Sequence, residues 1–510
     1  MNKRFAGVVA AATLAAATFT ATTASAAPAL PTCTNPGVTC KVGSTSDGST
    51  WKIEVPHGWN GTLLLYSHGY VPPTSPTGQP ATNPPADDFQ DRQTADYLLA
   101  HGYALAGSSY PDVGWAVKEA VPDQVALLGE FRHDFGRPSR TIAWGHSMGG
   151  MITADLVQTF PHLFDGALPM CGILGGGVGL WNQNLDLETA FKTLMQEDPN
   201  PAVSGPASAL QLANVQDANA NTGAAEAALA GAQATPEGRA RLALASALFN
   251  LPTWFDPGAP EPGPNDYAAQ EQNQFQALQV QVAFVFGFRA ELEHRAGGNP
   301  TWNTGVDYRR LFRRSSDRAE AQALYAAAGL DLRADLRAIN QAPRVTADRG
   351  ALRYLVQNVV FNGQIHVPVL TMHTTSDWLV PVPHEQSYGQ AVRNAGNAQL
   401  LRQLFVHRAG HCEFSDAEML TALNALIARL DRHSWPTLDP ASLNAQANQF
   451  GPSFNTVANG PVTLPAPPAF TAFTPPVFLR PFVLPPGARP HSARGQWPQG
   501  HGHDGGHRHY

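Results

Sequence analysis

Charge is scarce in this chain: only 14% of its 510 residues are Asp, Glu, Lys or Arg, and the formal net charge is −7 with both signs dispersed. A polybasic face for DNA, RNA or anionic membranes is thereby excluded. Cysteine is rarer still. The four present, Cys33, Cys40, Cys171 and Cys412, form no C-x-x-C pair, which disfavours zinc. No segment after the N-terminus offers the roughly 20 consecutive apolar residues of a membrane span. Apolar residues, by contrast, make up 43% of the chain, enough for a substantial core and more than one domain.

The chain opens with Lys3 and Arg4, an apolar run from Phe5 to about Phe19, and the small residues Ala24-Ser25-Ala26. This pattern predicts an export leader over residues 1–26, cleaved after Ala26. An oxidising exterior suits the four cysteines. Cys33 and Cys40 flank Pro36-Gly37, so a small disulfide loop is their simplest pairing and leaves Cys171 with Cys412. Three connectivities remain open from the sequence alone.

Strand and helix patterns then alternate. "TWKIEV" and "GTLLLYSHGY" read as strands, "TADYLLAHGYALAGSSY" as helix, turn and strand, and residues 117–135 as a helix. "RTIAW", "SMGGMITADLVQTF" and "GALPMC" continue as strand, helix and strand. Such alternation predicts an α/β fold with a mostly parallel, doubly wound sheet. It stops near Gly172 and resumes at "HVPVLTMHT", closing with "QLLRQLFV" and a helix whose cap is Ser415 with Glu418 three residues on. Residues 27–174 and 351–433 therefore read as two parts of one α/β unit. Residues 175–350, Ala- and Gln-rich with Pro-rich breaks, read as a helical cap inserted between them. Residues 434–510 read as a Pro-rich extended tail, a strap or a disordered segment, ending in the His-rich "HGHDGGHRHY", which reads as solvated.

One motif carries chemistry. Gly145-His146-Ser147-Met148-Gly149 matches G-x-S-x-G between a strand and a helix, the setting in which a tight turn lifts a serine above the sheet edge. A serine hydroxyl needs a base, and the base an orienting carboxylate, in the order serine, acid, histidine. Asp377 follows the strand "VPVLTMHT" and His411 lies in the loop after the last strand. His373, His384 and His407 sit in or beside strands or at a helix start and read as structural; Asp165 and Asp416 read as surface or helix-start carboxylates. The backbone N–H groups of Met148 and Tyr70, the latter after His68-Gly69, are the expected oxyanion donors.

With these residues in place, "SHGY", "GHSMGG", "TTSDWLVP" and "AGHCEF" resemble the α/β-hydrolase superfamily in order and content over about residues 50–172 and 350–433. "GHSMGG" is also similar to the elbow of secreted actinobacterial cutinases and lipases, which lack the long insertion. The resemblance implies a secreted, esterase- or lipase-like serine hydrolase with Ser147 as nucleophile, Asp377 as orienting acid and His411 as base. "HC" at His411-Cys412 resembles feruloyl esterases and tannases, in which that cysteine pairs with one beside the serine. Here His146 occupies the latter position, and the resemblance implies that Cys171 replaces it as the partner of Cys412.

The expected reaction is cleavage of a small-molecule or polymeric carboxylic ester through an acyl-enzyme, with no metal or organic cofactor, no nucleic acid and an open oligomeric state. Trp181, Phe191, Trp254, Phe255, Trp302 and Tyr308 are cap aromatics that would shape a pocket, though most such residues are core. Two alternatives stand beside it. One is a serine aminopeptidase that holds a free amine on Glu188, Glu291 or Glu293; the other is a noncatalytic binding protein on the same scaffold.

Overall fold

Leu63, Leu64 and Leu65 are consecutive and wholly buried, which in a strand requires cover on both faces. They lie at the centre of a mixed nine-stranded sheet in the computed structural model, which describes residues 29–73, 83–459 and 461–482. The expected leader and the His-rich end lie outside the described residues. Strands β1 (Val38–Ser44), β2 (Thr50–Pro56), β3 (Thr62–Ser67), β4 (Ala104–Ser108), β5 (Arg140–His146), β6 (Gly166–Met170), β7 (Val369–Ser376) and β8 (Leu401–Ala409) precede a hairpin of β9 (Thr456–Asn459) and β10 (Val462–Pro465) and a last short strand, β11 (Phe470–Thr471). The order across the sheet is β1-β2-β4-β3-β5-β6-β7-β8-β11. Every pairing from β4 to β8 is parallel, while β1, β2 and β11 join antiparallel at the two edges. With helices on both faces and a helical insertion, this is the α/β-hydrolase arrangement.

The chain leaves β3 for β4 on one side and later returns to β5 on the other, so the loops after β3 and β5 part at a topological switch point. Three helices cover the first crossovers: α1 (Arg92–Ala100), whose N-cap Asp91 accepts from the N–H groups of Gln93 and Thr94, α2 (Val117–Phe135) and α3 (Met148–Thr159). The helix Asp416–Arg432 closes the unit with a reciprocal Ser415/Glu418 capping box.

Between β6 and β7 the described chain is helical. A buried helix, α4 (Gly176–Gln196), leads out of the sheet, with Trp181 in the sheet-side core and Leu187, Phe191 and Leu194 in a second core belonging to the insertion. The last helix before β7 spans Arg349–Asn358, so the helical stretch runs past the boundary expected at 350. The tail is not extended throughout. A helix forms at Pro440–Asn448 because Asp439 accepts from the Ser442 N–H and Pro440 starts it, and the dense prolines come only later. Beyond it, β11 pairs with β8 and the chain runs as a strap: Phe478 packs on His384, and the Arg480 guanidinium meets both carboxylate oxygens of Asp186 at 2.7 Å.

Among the described residues, the tightest packing constraint falls on Gly149, where a Cβ would stand 1.9 Å from the Ser67 carbonyl oxygen. Gly149→Ala should destabilise by at least about 3 kcal/mol. Gly129→Ala, on the exposed face of α2 with no atom within 4 Å of the added carbon, should stabilise by about 1 kcal/mol. Chemical denaturation of the two variants beside wild type measures both; equal effects would contradict this packing.

Candidate active site

Strand β5 ends at His146, α3 begins at Met148, and Ser147 joins them at φ 58 and ψ −124, a conformation that a non-glycine residue holds only when its surroundings enforce it. The surroundings are backbone. A Cβ at Gly145 would lie 2.4 Å from the Ser67 carbonyl oxygen, and one at Gly150 would lie 2.6 Å from that of Met170. The Ser147 N–H donates to Met170 O at 3.0 Å, which ties the elbow to β6. His146, though adjacent, points into the core: its Nε2 lies 3.1 Å from Met419 Sδ, and burial together with the neighbouring His411 pushes its pKa down to about 3.

The other two side chains come from the ends of β7 and β8. Asp377 follows β7 and is fully buried, with Oδ1 accepting from the N–H groups of Leu379 and Val380, both at 2.9 Å. Its Oδ2 accepts from His411 Nδ1 at 2.8 Å, and His411 Nε2 lies 2.9 Å from Ser147 Oγ. Burial raises the Asp377 pKa, but the charges and hydrogen bonds of His411 and His373 outweigh it and hold the carboxyl at about 2. The two loops are fastened together: Gly410 N–H donates to Ser376 O at 3.1 Å and Thr374 Oγ1 to Gly410 O at 2.7 Å.

Of the rival histidines, His407 is about half exposed against Glu261, while His373 and His384 are wholly buried. Asp165 accepts from the Thr141 N–H, and Asp416 starts the closing helix. Both disulfides, Cys33–Cys40 and Cys171–Cys412, are present. The second lies against the site, with Cys412 Sγ 3.4 Å from His411 Nε2. Cys171, His411 and Cys412 cluster closely, but both sulfurs are spent in the bridge, so no thiolate is available for a metal.

On the opposite flank, Gly69 lies against the serine: a Cβ there would be 3.4 Å from Ser147 Cβ and 3.9 Å from its Oγ. Met148, the first residue of α3, follows the serine directly. His68 spans two carbonyls, Gly69 O at 2.7 Å from Nδ1 and Ser109 O at 3.1 Å from Nε2, which braces the loop. The Tyr70 ring is held by two residues of the insertion, Phe288 at 5.8 Å and Phe284 at 5.4 Å. Phe284 sits in a π-helical turn, Ala283–Gly287, a local widening of the helix that repeating hydrophobic patterns do not reveal. For this reason sequence reasoning missed both phenylalanines.

The cap aromatics expected to shape a pocket divide. Trp181, Phe191 and Tyr308 are buried core; Trp302 packs on Phe482, and Trp254 on His407. Phe255 alone of the six reaches the loop of Asp377, with its ring 5.5 Å from that of Trp378. The three cap carboxylates considered for an amine are engaged elsewhere: Glu188 and Glu293 flank the buried Arg289, and Glu291 pairs with Arg295 at 2.7 Å.

Residues 45–395 match the profile of a protein family described as a tannase-like family of unknown function (DUF6351). The chain is 31% identical over 431 residues to o-phthalyl amidase of Xanthobacter agilis, covering 80% of this chain and 91% of that protein. Among solved structures, feruloyl esterase B from Aspergillus oryzae is similar at 15% identity and a TM-score of 0.36, covering 78% of this chain and 80% of that one. Tannin acyl hydrolase from Aspergillus niger is similar at 14% identity and a TM-score of 0.35, covering 79% and 84%.

Because the Cys171–Cys412 bridge abuts His411, replacing both cysteines by serine should slow labelling of Ser147 by a fluorophosphonate by about 10-fold or more. It should also cost about 2–5 kcal/mol of stability. The same exchange at Cys33 and Cys40, at the far edge of the sheet, should leave the labelling rate within about twofold; equal losses from both pairs would contradict the assignment.

Proposed function

The chain belongs to the tannase-like family DUF6351, and from that premise we propose that it is a secreted serine hydrolase cleaving carboxylic esters through an acyl-enzyme. The reading rests above all on one row of hydrogen bonds, Ser147 Oγ to His411 at 2.9 Å and His411 to Asp377 at 2.8 Å, set on a strained strand-to-helix elbow.

In the reaction, Ser147 Oγ attacks the ester carbonyl while His411 Nε2 takes its proton, and Asp377 holds the resulting imidazolium. The developing oxyanion faces the backbone N–H groups of Met148 and Tyr70, each worth about 10²–10³-fold in rate. His411 then gives the proton to the departing alcohol, and water releases the acid by the reverse sequence. The chemistry calls for no metal or organic cofactor. The insertion acts as a cap over the switch-point crevice, a role supported by Phe284 and Phe288 against Tyr70 and by Phe255 against Trp378.

Secretion is supported by the leader pattern of residues 1–26 and by two disulfides, which persist in oxidising compartments. Among the described residues, no helix is long and apolar enough to cross a membrane.

Amide cleavage by the same residues is the second reading, favoured by the 31% identity to a protein named o-phthalyl amidase. Capture of a free amine by Glu188, Glu291 or Glu293 has less support, since each already faces an arginine.

Purified protein assayed on p-nitrophenyl acyl esters and on the matching acyl anilides separates these readings. Ester turnover is expected, falling at least about 10⁴-fold in Ser147→Ala. Turnover of anilides alone would favour the amidase. Full ester turnover in Ser147→Ala would overturn the mechanism, and failure of wild type to react with a fluorophosphonate would point to a binding protein.

A further inference from the structure

Behind the triad carboxylate lies a second imidazole that the mechanism above does not use. His373, on β7 four residues before Asp377, is wholly buried, and its Nε2 stands 3.4 Å from Asp377 Oδ2, the same oxygen that accepts from His411. That Nε2 also lies 2.8 Å from the carbonyl oxygen of Val380. On its other side, Nδ1 lies 3.4 Å from Glu385 Oε1, and Glu385, from the helix Pro383–Asn394, is wholly buried as well. The second oxygen of Glu385 accepts from Thr371 Oγ1 at 2.6 Å and from Gln403 Nε2. Thr371 and His373 share one face of β7, and Gln403 is the cross-strand partner of Thr371 on β8, so the sheet itself presents this cradle to the helix.

The partners decide the protonation state. A peptide carbonyl only accepts, so Nε2 carries a proton; a carboxylate only accepts, so Nδ1 carries one too. His373 is then an imidazolium between two carboxylates. Burial lowers its pKa, but hydrogen bonds and attraction from Asp377 and Glu385 outweigh that and raise it to about 10.

The charge balance gives this a consequence. With His411 neutral, the buried array of Asp377, His373 and Glu385 carries one net negative charge; when His411 takes the Ser147 proton, the sum becomes zero. Unpaired buried charge is costly, so the array favours the state in which His411 is protonated, and His373 keeps that bias from becoming excessive. The other ionisable groups facing the array do not supply the missing cation. His384 and Tyr388 lie on the helix of Glu385, where burial holds His384 neutral with a pKa of about 3 and keeps Tyr388 protonated. Glu413, in the His411 loop, is pushed up to about 7 by burial, and His146 and Asp155 lie on the elbow side.

We propose that His373, clamped between Asp377 and Glu385, is a positioning residue of the hydrolytic site: a buried cation that keeps Asp377 ionised and limits how strongly His411 holds a proton. The proposal rests on the acyl-enzyme reading given above.

The test is the pH profile of kcat/KM on a p-nitrophenyl ester for wild type, His373→Gln and Glu385→Gln. Loss of the cation should move the acid limb up by about one pH unit, because a site left more negative protonates His411 more readily. Loss of the outer carboxylate, with His373 still charged, should move it down by a smaller amount. Opposite shifts support the proposal; falls in kcat with the acid limb unmoved in both variants, or shifts in one direction, overturn it. Nitrogen-15 NMR of histidine-labelled wild type removes dependence on how the variants fold. At pH 8 a histidine assigned to His373, with both ring nitrogens protonated, should persist, and a singly protonated His373 would overturn the proposal. Failure of the acyl-enzyme reading shows itself separately, as ester turnover retained by Ser147→Ala.

Discussion

The carbonyl oxygen of Ser67 is the constraint from which the site's geometry follows. It ends β3 at the point where β3 is still paired with β5, Ser67 opposite Gly145, so the loops leaving the two strands start side by side. Side chains at 145 or 149 would occupy its space, and with glycine at both positions the elbow can turn hard against it. The positive φ of Ser147 survives because backbone on both sides, Ser67 and Met170, leaves no roomier alternative. The same contact brings Gly69 against Ser147, so the loop after β3 and the elbow are set by one close approach of two strands.

A chain with little charge spends several of its charges in buried pairs. Arg289 is wholly buried with Glu188 beside it, Arg480 of the strap meets Asp186 of α4, and Arg408 meets Glu418. Such pairs add little net stability, because desolvation offsets most of their attraction, but removing one partner is severe, so they specify geometry. Arg408 shows how: besides Glu418 it donates to the carbonyls of Glu413 and Pro467, and Glu418 in turn accepts from the Ala469 N–H. The His411 loop, the closing helix and the strap thus share one polar hub. Aromatic contacts do the same on the other flank, where Phe284 and Phe288 of the insertion hold Tyr70.

Much of this was legible because local chemistry dictated it. The run of buried leucines in β3, the G-x-S-x-G elbow, the capping box at Ser415 and the Asp and His at the ends of late strands are all short-range patterns with physical causes. The edge strands were harder. Strand β1 has a mixed pattern in which solvent-facing and covered positions do not alternate cleanly, and β11 is two residues long within a Pro-rich segment. The helix Pro440–Asn448 is masked in the sequence because the prolines around it suggest an extended chain. Of the cap aromatics, composition named six but could not separate those that fill the insertion's own core from Phe255, which reaches Trp378.

The sequence by itself determined the α/β alternation, the long interruption between its two parts, and the identity of the serine, acid and histidine that the fold brings within hydrogen-bond reach. These are written in residue type and spacing along one strand, turn or helix. Only the tertiary structure decided that Cys171 bridges Cys412 across 241 residues, that a π-turn and the residue after it place Phe284 and Phe288 against Tyr70, and that His373 stands between two buried carboxylates. Each depends on which elements become neighbours in space; at the buried imidazole, the attraction and hydrogen bonds of two carboxylates outweigh the loss of water, which by itself would disfavour its charged form.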